Sequence, residues 1–514
     1  MSRVNRSRSS SVTKGLAIVF AASAVLLGGG SLAQSRLVVA QGADPVTLDA
    51  GMTTGTTTAN VVGNIYDTLV IRADDMSLVP GLAVSWEPVD DVTWRFELRE
   101  GVTFHNGEPF TAEAVKFSFD RVLDPERSAP QASYIATIGH VEVIDDFTID
   151  IVTSNPDPIL VARLAKAVAG IVPPGYVQEV GDDRVAQNPI GTGPFEFVEW
   201  VRDERLVLRA NESYWRTPPQ VDELVFRPIP NLATRTSALL SGDVDLIVNV
   251  PVPQAPMVDR NPGVDLVAVD IQAGEYLGYN LRIEDSPLQD KRVRIAINHA
   301  IDVDSIIEGV LDGYATRRSS PVTPLDFGYY DVEPYPYDLE VARSLLAEAG
   351  FPNGEGLSLK FDTPTGRYPM DQQVSEVIAA QLTDLGIDIE FEVHEWGNYL
   401  GLFQNDQLGD LFLLGWGSIT TLDADAALYD ELTCGKTYST YCDPELDAVL
   451  EEARTIIDPQ RREELYAEAL YMIHDDPPWL FMYQERSLYG MSERVTWEPR
   501  ADSILYFYEA SVAQ

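Results

Sequence analysis

Strand-like and helix-like patterns alternate in two separate stretches of this chain, near residues 200–270 and near residues 340–420. In the first stretch, the patterns predict strands at 221–229 and 244–248 and, between them, a helix at 231–241. Such alternation is typical of α/β domains, in which helices cover a sheet. The chain is therefore predicted to contain two separate α/β units.

The second stretch has the same order of patterns. Residues 357–362 alternate apolar and polar side chains, and the apolar stripe that follows Asp371 predicts a helix that ends at Gly386. Residues 387–393 then alternate strictly, which predicts a strand with one wet face, and 410–416 (DLFLLGW) is predicted as a short buried strand. Ligands of open α/β sheets bind beyond the carboxyl ends of such strands, so the loops that follow the first and the last of them are candidate binding loops.

These two loops carry charged and aromatic side chains. One loop offers the guanidinium of Arg367 and the phenol of Tyr368, and the other follows Trp416 and offers the carboxylates of Asp423 and Asp425. An arginine can hold a carboxylate through two parallel hydrogen bonds, and a carboxylate can hold an ammonium group. Together these residues predict a binding site for a zwitterion such as a short peptide.

Each of these residues also has a purely structural interpretation. Arg367 could lie at the surface or pair with Asp371, four residues further on. Asp423 and Asp425 could cap a helix that begins there, and Trp416 could be a core residue. The sequence leaves both interpretations open.

The first 33 residues have the three parts of a secretory signal. Residues 1–14 carry four basic side chains and no acid, residues 15–30 are apolar and small, and Ser31-Leu32-Ala33 fits the cleavage site of a signal peptidase. The apolar run is short for a membrane anchor, which is the alternative interpretation. No cysteine lies near the cleavage point to carry a lipid. We therefore expect cleavage after Ala33 and a periplasmic mature protein.

Export also bears on the only two cysteines, Cys434 and Cys442, which lie eight residues apart in a turn-rich segment. In an oxidising compartment such a pair is expected to form a disulfide. The alternative is two independent buried thiols. A zinc site would need two more ligands, and no histidine lies nearby in the sequence.

Charge and motif content argue against several classes of function. With 37 basic and 80 acidic side chains the net charge is −43, which argues against nucleic acid as a partner. None of the five histidines lies at a metal-binding spacing, and the chain has no G-x-S-x-G elbow and no P-loop lysine motif. We therefore predict no catalytic residue, no metal and no cofactor. A triad of non-adjacent serine, histidine and aspartate stays open, as in a secreted hydrolase.

Several long motifs follow one another in an order that is typical of one family. Three of them are RFELREGVTFHNGEPFTAEAVKFSFDRV (95–122), PIGTGPFEFVEW (189–200) and DKRVRIAINHAID (290–302). In these motifs, and across nearly the whole mature chain, the sequence resembles the peptide/nickel family of extracellular solute-binding proteins of ABC importers. The segments GRYPMD and DAD are similar to members that bind dipeptides, oligopeptides or glutathione.

The resemblance implies a periplasmic-binding-protein-like fold of type II, an α/β fold with two lobes, a hinged cleft and an inserted β-rich subdomain. Two crossing strands, near 279–281 and near 481–483, would form the hinge. The implied division of the chain is 1–33 as signal peptide, 34–75 with 190–275 and 480–514 as lobe I, 76–189 as the inserted subdomain, and 276–479 as lobe II.

The resemblance also implies roles for individual residues. Arg367 matches an arginine that meets the ligand carboxylate. Where some dipeptide binders have an aspartate for the ligand's amino group, this chain has Ile419, so that contact is expected to move to Asp423. Tyr66 and Asn280 lie in segments that reach the cleft in relatives, and they are further candidates.

We therefore predict a monomeric solute-binding protein that captures a short peptide or a glutathione-like zwitterion in a cleft between its lobes. Its expected partners are the permease subunits of an ABC importer in the inner membrane, which would recognise the closed, ligand-bound form. The same fold could instead hold an oligosaccharide, an opine or a nickel chelate.

Overall fold

The computed structural model describes residues 34–53, 55–417 and 421–513. The predicted signal peptide, residues 1–33, lies outside the described residues. In the part of the chain that is described, no helix combines the length and the apolar character that crossing a membrane requires.

Strands and helices alternate in the two stretches for which the sequence predicts it, near 200–270 and near 340–420. The strands are β1 (Arg36–Gln41), β2 (Val70–Arg72), β3 (Leu78–Pro80), β4 (Ala83–Asp90), β5 (Thr93–Leu98), β6 (Ile138–Asp145), β7 (Thr148–Thr153), β8 (Phe195–Val201), β9 (Arg205–Ala210), β10 (Glu223–Pro228), β11 (Leu246–Ile247), β12 (Val264–Tyr279), β13 (Ala315–Arg317), β14 (Ser358–Thr365), β15 (Asp388–Glu395), β16 (Leu411–Trp416), β17 (Trp479–Ser492), β18 (Val495–Thr496) and β19 (Ser511–Val512). The α-helices are α1 (Thr56–Val62), α2 (Ala112–Leu123), α3 (Leu160–Arg163), α4 (Pro174–Val180), α5 (Asp182–Val185), α6 (Leu232–Leu240), α7 (Ala255–Asp259), α8 (Lys291–Ala300), α9 (Val303–Gly309), α10 (Leu339–Glu348), α11 (Asp371–Asp384), α12 (Trp396–Gln404), α13 (Ala424–Leu432), α14 (Pro444–Thr455) and α15 (Pro459–Asp475).

One mixed sheet of eleven strands runs through the molecule, with the long antiparallel strands β12 and β17 at its centre. On one side of this pair the order is β11, β1, β10, β9 and β8, and we call that half lobe I. On the other side the order is β16, β14 and β15, with β13 paired to β17, and we call that half lobe II. β12 and β17 therefore belong to both lobes.

The pairing of β12 with β17 changes register between Asp270 and Gly274. A bulge of this kind bends a strand and increases its twist. The first half of β12 pairs with the part of β17 that lies next to β11, and the second half lies beside β16. The strands thus pass from one lobe to the other near 271–273 and near Gln484, a few residues away from the positions that the resemblance implies.

Lobe I contains the first predicted α/β unit. β1 runs parallel to both β10 and β11, and α6 follows β10. The side-chain oxygen of Asn231 caps this helix, because it accepts a hydrogen bond from the backbone amide of Thr234 at 2.9 Å. Leu37, Leu224 and Phe226 are fully buried in the core that these strands share.

Lobe II contains the second predicted α/β unit. β14 pairs in parallel with β15 and with β16, and α11 connects β14 to β15. The apolar stripe of α11, with Val374, Ile378 and Leu382 fully buried, packs against this sheet. The carboxyl ends of β14 and β16 therefore lie at the same edge, where the two candidate binding loops begin.

The inserted subdomain is an antiparallel sheet in the order β4-β5-β7-β6, with α2 packed against β6. Phe96, Ile149 and Ile151 are fully buried in its core. These residues come from the alternating patterns of β5 and β7, so alternate side chains point to one face.

The hydrophobic cores shift the predicted segment boundaries. Leu69 packs in the core of the inserted subdomain, whereas Val177 and Val185, predicted to belong to it, pack in the core of lobe I. Leu480 and Met482 pack in the core of lobe II, so the predicted third segment of lobe I, 480–514, begins too early. The reason is that β17 crosses from lobe II into lobe I only near its middle.

The two cysteines lie in lobe II, between α13 and α14. Cys434 and Cys442 are joined by a disulfide, as predicted. The loop that they close also accepts hydrogen bonds from Arg282, through the backbone oxygens of Lys436 and Ser439 at 2.9 and 2.6 Å. The disulfide thus closes the loop, and the hydrogen bonds from Arg282 attach it to the rest of lobe II.

Candidate functional site

A cavity of about 1240 Å³ lies where the two lobes meet. Residues of lobe I and the inserted subdomain line one side, and residues of lobe II line the other. The bulge of β12 and the middle of β17 form part of the lining, through Ile271, Tyr483 and Glu485. A ligand in this cavity would therefore contact both lobes and the strands that connect them.

Arg367 and Tyr368 line this cavity from the loop that follows β14. The carboxylate of Asp371 holds the loop in place, because it accepts hydrogen bonds from the backbone amides of Gly366, Arg367 and Tyr368 at 3.2, 2.8 and 3.1 Å. Asp371 thus binds the backbone of Arg367, and the predicted alternative of a side-chain ion pair between the two does not occur. The loop is pre-formed, and the guanidinium is exposed.

The guanidinium of Arg367 makes no ion pair with any described residue. Its carbon lies 5.1 and 5.2 Å from the ring centres of Tyr368 and Trp396, which is cation–π distance. The two rings meet edge to face at 6.0 Å. An arginine that is positioned by aromatic rings and makes no ion pair with a described carboxylate is available to an anionic group of a ligand.

Tyr368 is fixed by its contact with Gly415 in β16. Its hydroxyl donates a hydrogen bond to the backbone oxygen of Gly415 at 3.4 Å, and its ring covers the α-carbon. A side chain at position 415 would place its β-carbon 2.5 Å from the ring, so this position needs glycine. Burial raises the pKa of the Tyr368 hydroxyl well above its ordinary value, which keeps it a neutral donor.

Asp423 and Asp425 do not line the cavity among the described residues. The Asp423 carboxylate is buried, caps α13 by accepting the backbone amide of Asp425 at 3.1 Å, and lies 2.9 Å from the guanidinium of Arg462. The carboxylate of Asp425 lies 2.9 Å from Arg454, and burial raises its pKa to about 6 against the opposing charge of that arginine. The structure thus favours the capping interpretation, and a ligand contact by either aspartate stays a prediction.

The remaining candidates are placed as follows. Tyr66 is 2% exposed, and its hydroxyl donates to the backbone oxygen of Leu48 at 3.2 Å. Asn280 is 5% exposed, and its amide donates to the backbone oxygen of Leu408 at 3.0 Å. Neither residue is among those that line the cavity, and each makes a hydrogen bond inside the protein instead. Trp416 ends β16, but its side chain lies outside the described part of the structure.

Sequence reasoning missed the acidic residues beside Arg367. Glu485 of β17 lines the cavity and makes no ion pair with any described residue, and burial raises its pKa while the nearby Arg367 opposes that shift. Glu275 of β12 is 1% exposed, and burial together with the charge of Glu485 raises its pKa well above the ordinary value. The available signal was the polar run Gln484–Ser487, with the charged pair Glu485 and Arg486, between apolar residues of β17.

No histidine is among the described residues that line the cavity. His105, for example, lies in the inserted subdomain, where its Nε2 is 2.9 Å from the backbone oxygen of Gly193. The serine–histidine pair that the hydrolase alternative requires is therefore not formed by the described lining, although Ser487 and Ser503 belong to it.

A group of potential metal ligands lies outside the cavity, at the β14–β15 edge. Asp362, Glu392 and His394 bring their ligand atoms within 4.8 Å of one another. The ammonium of Lys360 lies 2.9 Å from Glu392 and 3.5 Å from Asp362. A lysine already supplies the positive charge there, and we assign the group no role.

Comparison with known proteins adds to this geometry. The sequence model of the bacterial extracellular solute-binding proteins, family 5 (Middle), matches residues 77–439. The glutathione-binding protein GsiB of Pectobacterium atrosepticum is 28% identical over 491 residues, which cover 93% of this chain and 94% of that protein.

Two further proteins are similar over most of the chain. Heme-binding protein A of Haemophilus influenzae is 30% identical over 466 residues, which cover 84% of this chain and 83% of that protein. Among solved structures, the periplasmic binding protein DppA from Helicobacter pylori in complex with the peptide STSA matches with a TM-score of 0.72 at 29% identity. That match covers 94% of this chain and 98% of the other.

Proposed function

This chain belongs to the bacterial extracellular solute-binding proteins of family 5, and from that membership we propose that it captures a short zwitterionic peptide for an ABC importer. The glutathione-binding relative and the peptide complex of DppA support this ligand class. The ligand would lie in the cavity between the lobes, in contact with both.

The observation that carries the proposal is a pair of opposite charges in one cavity. Arg367 and Glu485 both line it, and neither makes an ion pair with a described residue. They are close enough for Arg367 to influence the pKa of Glu485. In the proposed complex, Arg367 binds the peptide carboxylate. The carboxylate of Glu485 accepts hydrogen bonds from the peptide ammonium group, a role that the sequence alone assigns to Asp423.

Binding is coupled to closure of the lobes. The bulge near 271–273 is where β12 can absorb a change in lobe angle, since its ladder with β17 is already interrupted there. A peptide that contacts both lobes binds the closed form more tightly and shifts the population towards it. The closed form is then the one that delivers the peptide to the permease subunits.

The protein would reach its site of action by export to the periplasm. The signal pattern at 1–33 supports cleavage after Ala33, and the disulfide of Cys434 and Cys442 suits an oxidising compartment. Mass spectrometry of the protein recovered from periplasmic extract tests this part: the expected N-terminus is Gln34, and a chain that retains residues 1–33 would contradict it.

The test of the ligand is a thermal-shift and calorimetric screen of the ligand-stripped, refolded protein. The probes are the tripeptide Ala-Ala-Ala, glutathione, a maltooligosaccharide, an opine, heme and a nickel–histidine chelate. A ligand at a hundred times its Kd adds about 2.7 kcal/mol, which raises the melting temperature of a protein of this size by roughly 2–5 °C. We expect the tripeptide and glutathione to give such a shift.

Blocked peptides separate the two anchors. N-acetylation removes the ammonium group and C-amidation removes the carboxylate, so each should weaken binding about tenfold or more. Glu485→Gln should abolish the effect of acetylation alone, and Arg367→Ala that of amidation alone. The exposed Arg461→Ala serves as a control. If blocked and free peptides bind equally well, the charge pair is not the anchor, and if only a sugar, an opine or a chelate binds, the peptide class is wrong.

A further inference from the structure

Lys166, about two hundred residues before Arg367 in the sequence, is another cation that lines the cavity. Lys166 follows α3, at the junction between the inserted subdomain and lobe I: Ala165 packs in the core of the first and Ala167 in that of the second. The side chain of Lys166 belongs to the cavity lining. Its ammonium lies 3.9 Å from the ring centre of Tyr134, which also lines the cavity.

No described residue neutralises this ammonium group. Lys166 makes no hydrogen bond or ion pair through Nζ with any residue that the structure describes. The charge that shifts its pKa is that of another cation, Arg72, which also lines the cavity. Burial and the charge of Arg72 lower the pKa of Lys166 to about 8.

Arg72 makes no ion pair with any described carboxylate. Its guanidinium donates hydrogen bonds to the backbone oxygens of Met76 and Thr421, which are neutral acceptors. The charges of Asp502, Asp326 and Asp423 act on Arg72 without an ion pair to it, and the strongest of them, Asp502, is already paired with Arg500 at 2.7 Å. Two cations therefore share one wall of the cavity in a chain whose net charge is −43.

Two cations without an anionic partner in one wall are unfavourable unless a ligand supplies the negative charge. Buried charges in proteins are normally paired, because the loss of water around an isolated ammonium costs free energy that one aromatic ring offsets only in part. An exposed lysine could turn towards solvent, but this one is held over Tyr134 inside the cavity. What these two cations lack among the described residues is a negatively charged group to pair with.

We infer that Lys166 binds a second carboxylate of the ligand, so that the preferred ligands are short peptides with an acidic side chain or an additional carboxyl group. This inference rests on the proposed function, in which Arg367 takes the first carboxylate. Lys166 belongs to the wall of lobe I and the inserted subdomain, and Arg367 belongs to lobe II. A ligand with two carboxylates would thus connect the walls and favour closure.

The experiment compares isosteric peptides on the full mature protein by calorimetry. The pairs are Glu-Ala-Ala with Gln-Ala-Ala and Ala-Ala-Glu with Ala-Ala-Gln, which differ only in one negative charge. The variants are Lys166→Met, which keeps the length and removes the charge, and Lys116→Met as a control. Lys116 lies on α2, outside the cavity lining, and pairs with Asp120 at 2.8 Å.

We expect the wild-type protein and Lys116→Met to bind at least one acidic peptide ten times or more tightly than its amide partner. Lys166→Met should bind both members of each pair with the affinity of the amide partner, and its melting temperature without ligand should not fall. Equal affinities within both pairs for the wild type, or a preference that survives in Lys166→Met, would overturn the inference. If none of the four peptides binds, the proposed function itself fails, which is a separate result.

Discussion

Arg462 and Asp423 form a buried ion pair inside lobe II. Nη2 of the arginine lies 2.9 Å from Oδ1 of the aspartate, and Nη1 lies 3.1 Å from Oδ2. Both side chains are 5% exposed. The pair joins the start of α13 to the first turn of α15, so the loop after β16 is attached to the helical layer of lobe II.

Removal of either partner should destabilise the protein strongly, because the other charge is left buried. For Arg462→Met and for Asp423→Asn we expect a loss of about 3–5 kcal/mol in the free energy of unfolding, measured by urea denaturation. The neighbouring Arg461 is the matched control: its pairs with Glu452 and Glu464 are exposed, so Arg461→Ala should cost about 0–1 kcal/mol. Equal effects at 461 and 462 would contradict the assignment of Asp423 to the interior.

Asp425 should make stability depend on pH. Its pKa of about 6 in the folded protein is above the ordinary value of 3.8, so the unfolded state ionises first as the pH rises. Stability should therefore fall between about pH 4 and pH 6, by roughly 1–3 kcal/mol from this group. Urea midpoints at each pH should show a smaller decline for Asp425→Asn, whereas the exposed Asp384→Asn should follow the wild type. An unchanged decline in Asp425→Asn would assign the pH dependence to other groups.

Gly415→Ala should weaken peptide binding through Tyr368. The new methyl group would stand 2.5 Å from the ring, which must then move out of its position beside Arg367. We expect a loss of about tenfold in peptide affinity, measured by calorimetry, with a small change in melting temperature. Gly401→Ala on α12 is the control, since nothing lies within 4 Å of its added methyl group. Unchanged affinity in Gly415→Ala would mean that the tyrosine ring does not contact the ligand.

Reduction of the disulfide should lower stability by about 2–3 kcal/mol, as expected for a closed loop in which Cys434 and Cys442 are eight residues apart. Urea denaturation with and without reductant measures this difference. The double variant Cys434→Ser, Cys442→Ser should have the stability of the reduced protein and should not respond to reductant. A response of the double variant would show that the reductant acts elsewhere.

Local periodicity predicts much of this fold because the pattern of a strand or a helix lies within a few residues. The alternation at β15 and the stripe on α11 are examples. The division of β17 between two lobes is different, since its partner strand β12 lies about two hundred residues earlier and nothing local marks the change of register. Segment boundaries were therefore less accurate than the elements.

The same distinction applies to the candidate site. The position of Arg367 and Tyr368 in the cavity lining is predictable because they follow a recognisable strand at its carboxyl end. Asp423 looked equally available, but its partner Arg462 is 39 residues away, and a sequence does not show which distant cation reaches a given carboxylate. Glu485 lies within β17 rather than in a loop beyond a strand end, and the sequence does not show that this part of the strand lines the cavity.

The central position of β17 also has a consequence for the order in which the chain is synthesised. β12 also pairs with β16, but its other partner, β17, comes about two hundred residues after it in the chain, and β11 of lobe I pairs with the same late strand. A nascent chain that has not reached Trp479 lacks one of the two central strands of its sheet, however much of both lobes has been translated. The two lobes can therefore be joined through the complete central sheet only after the last part of the chain has been made.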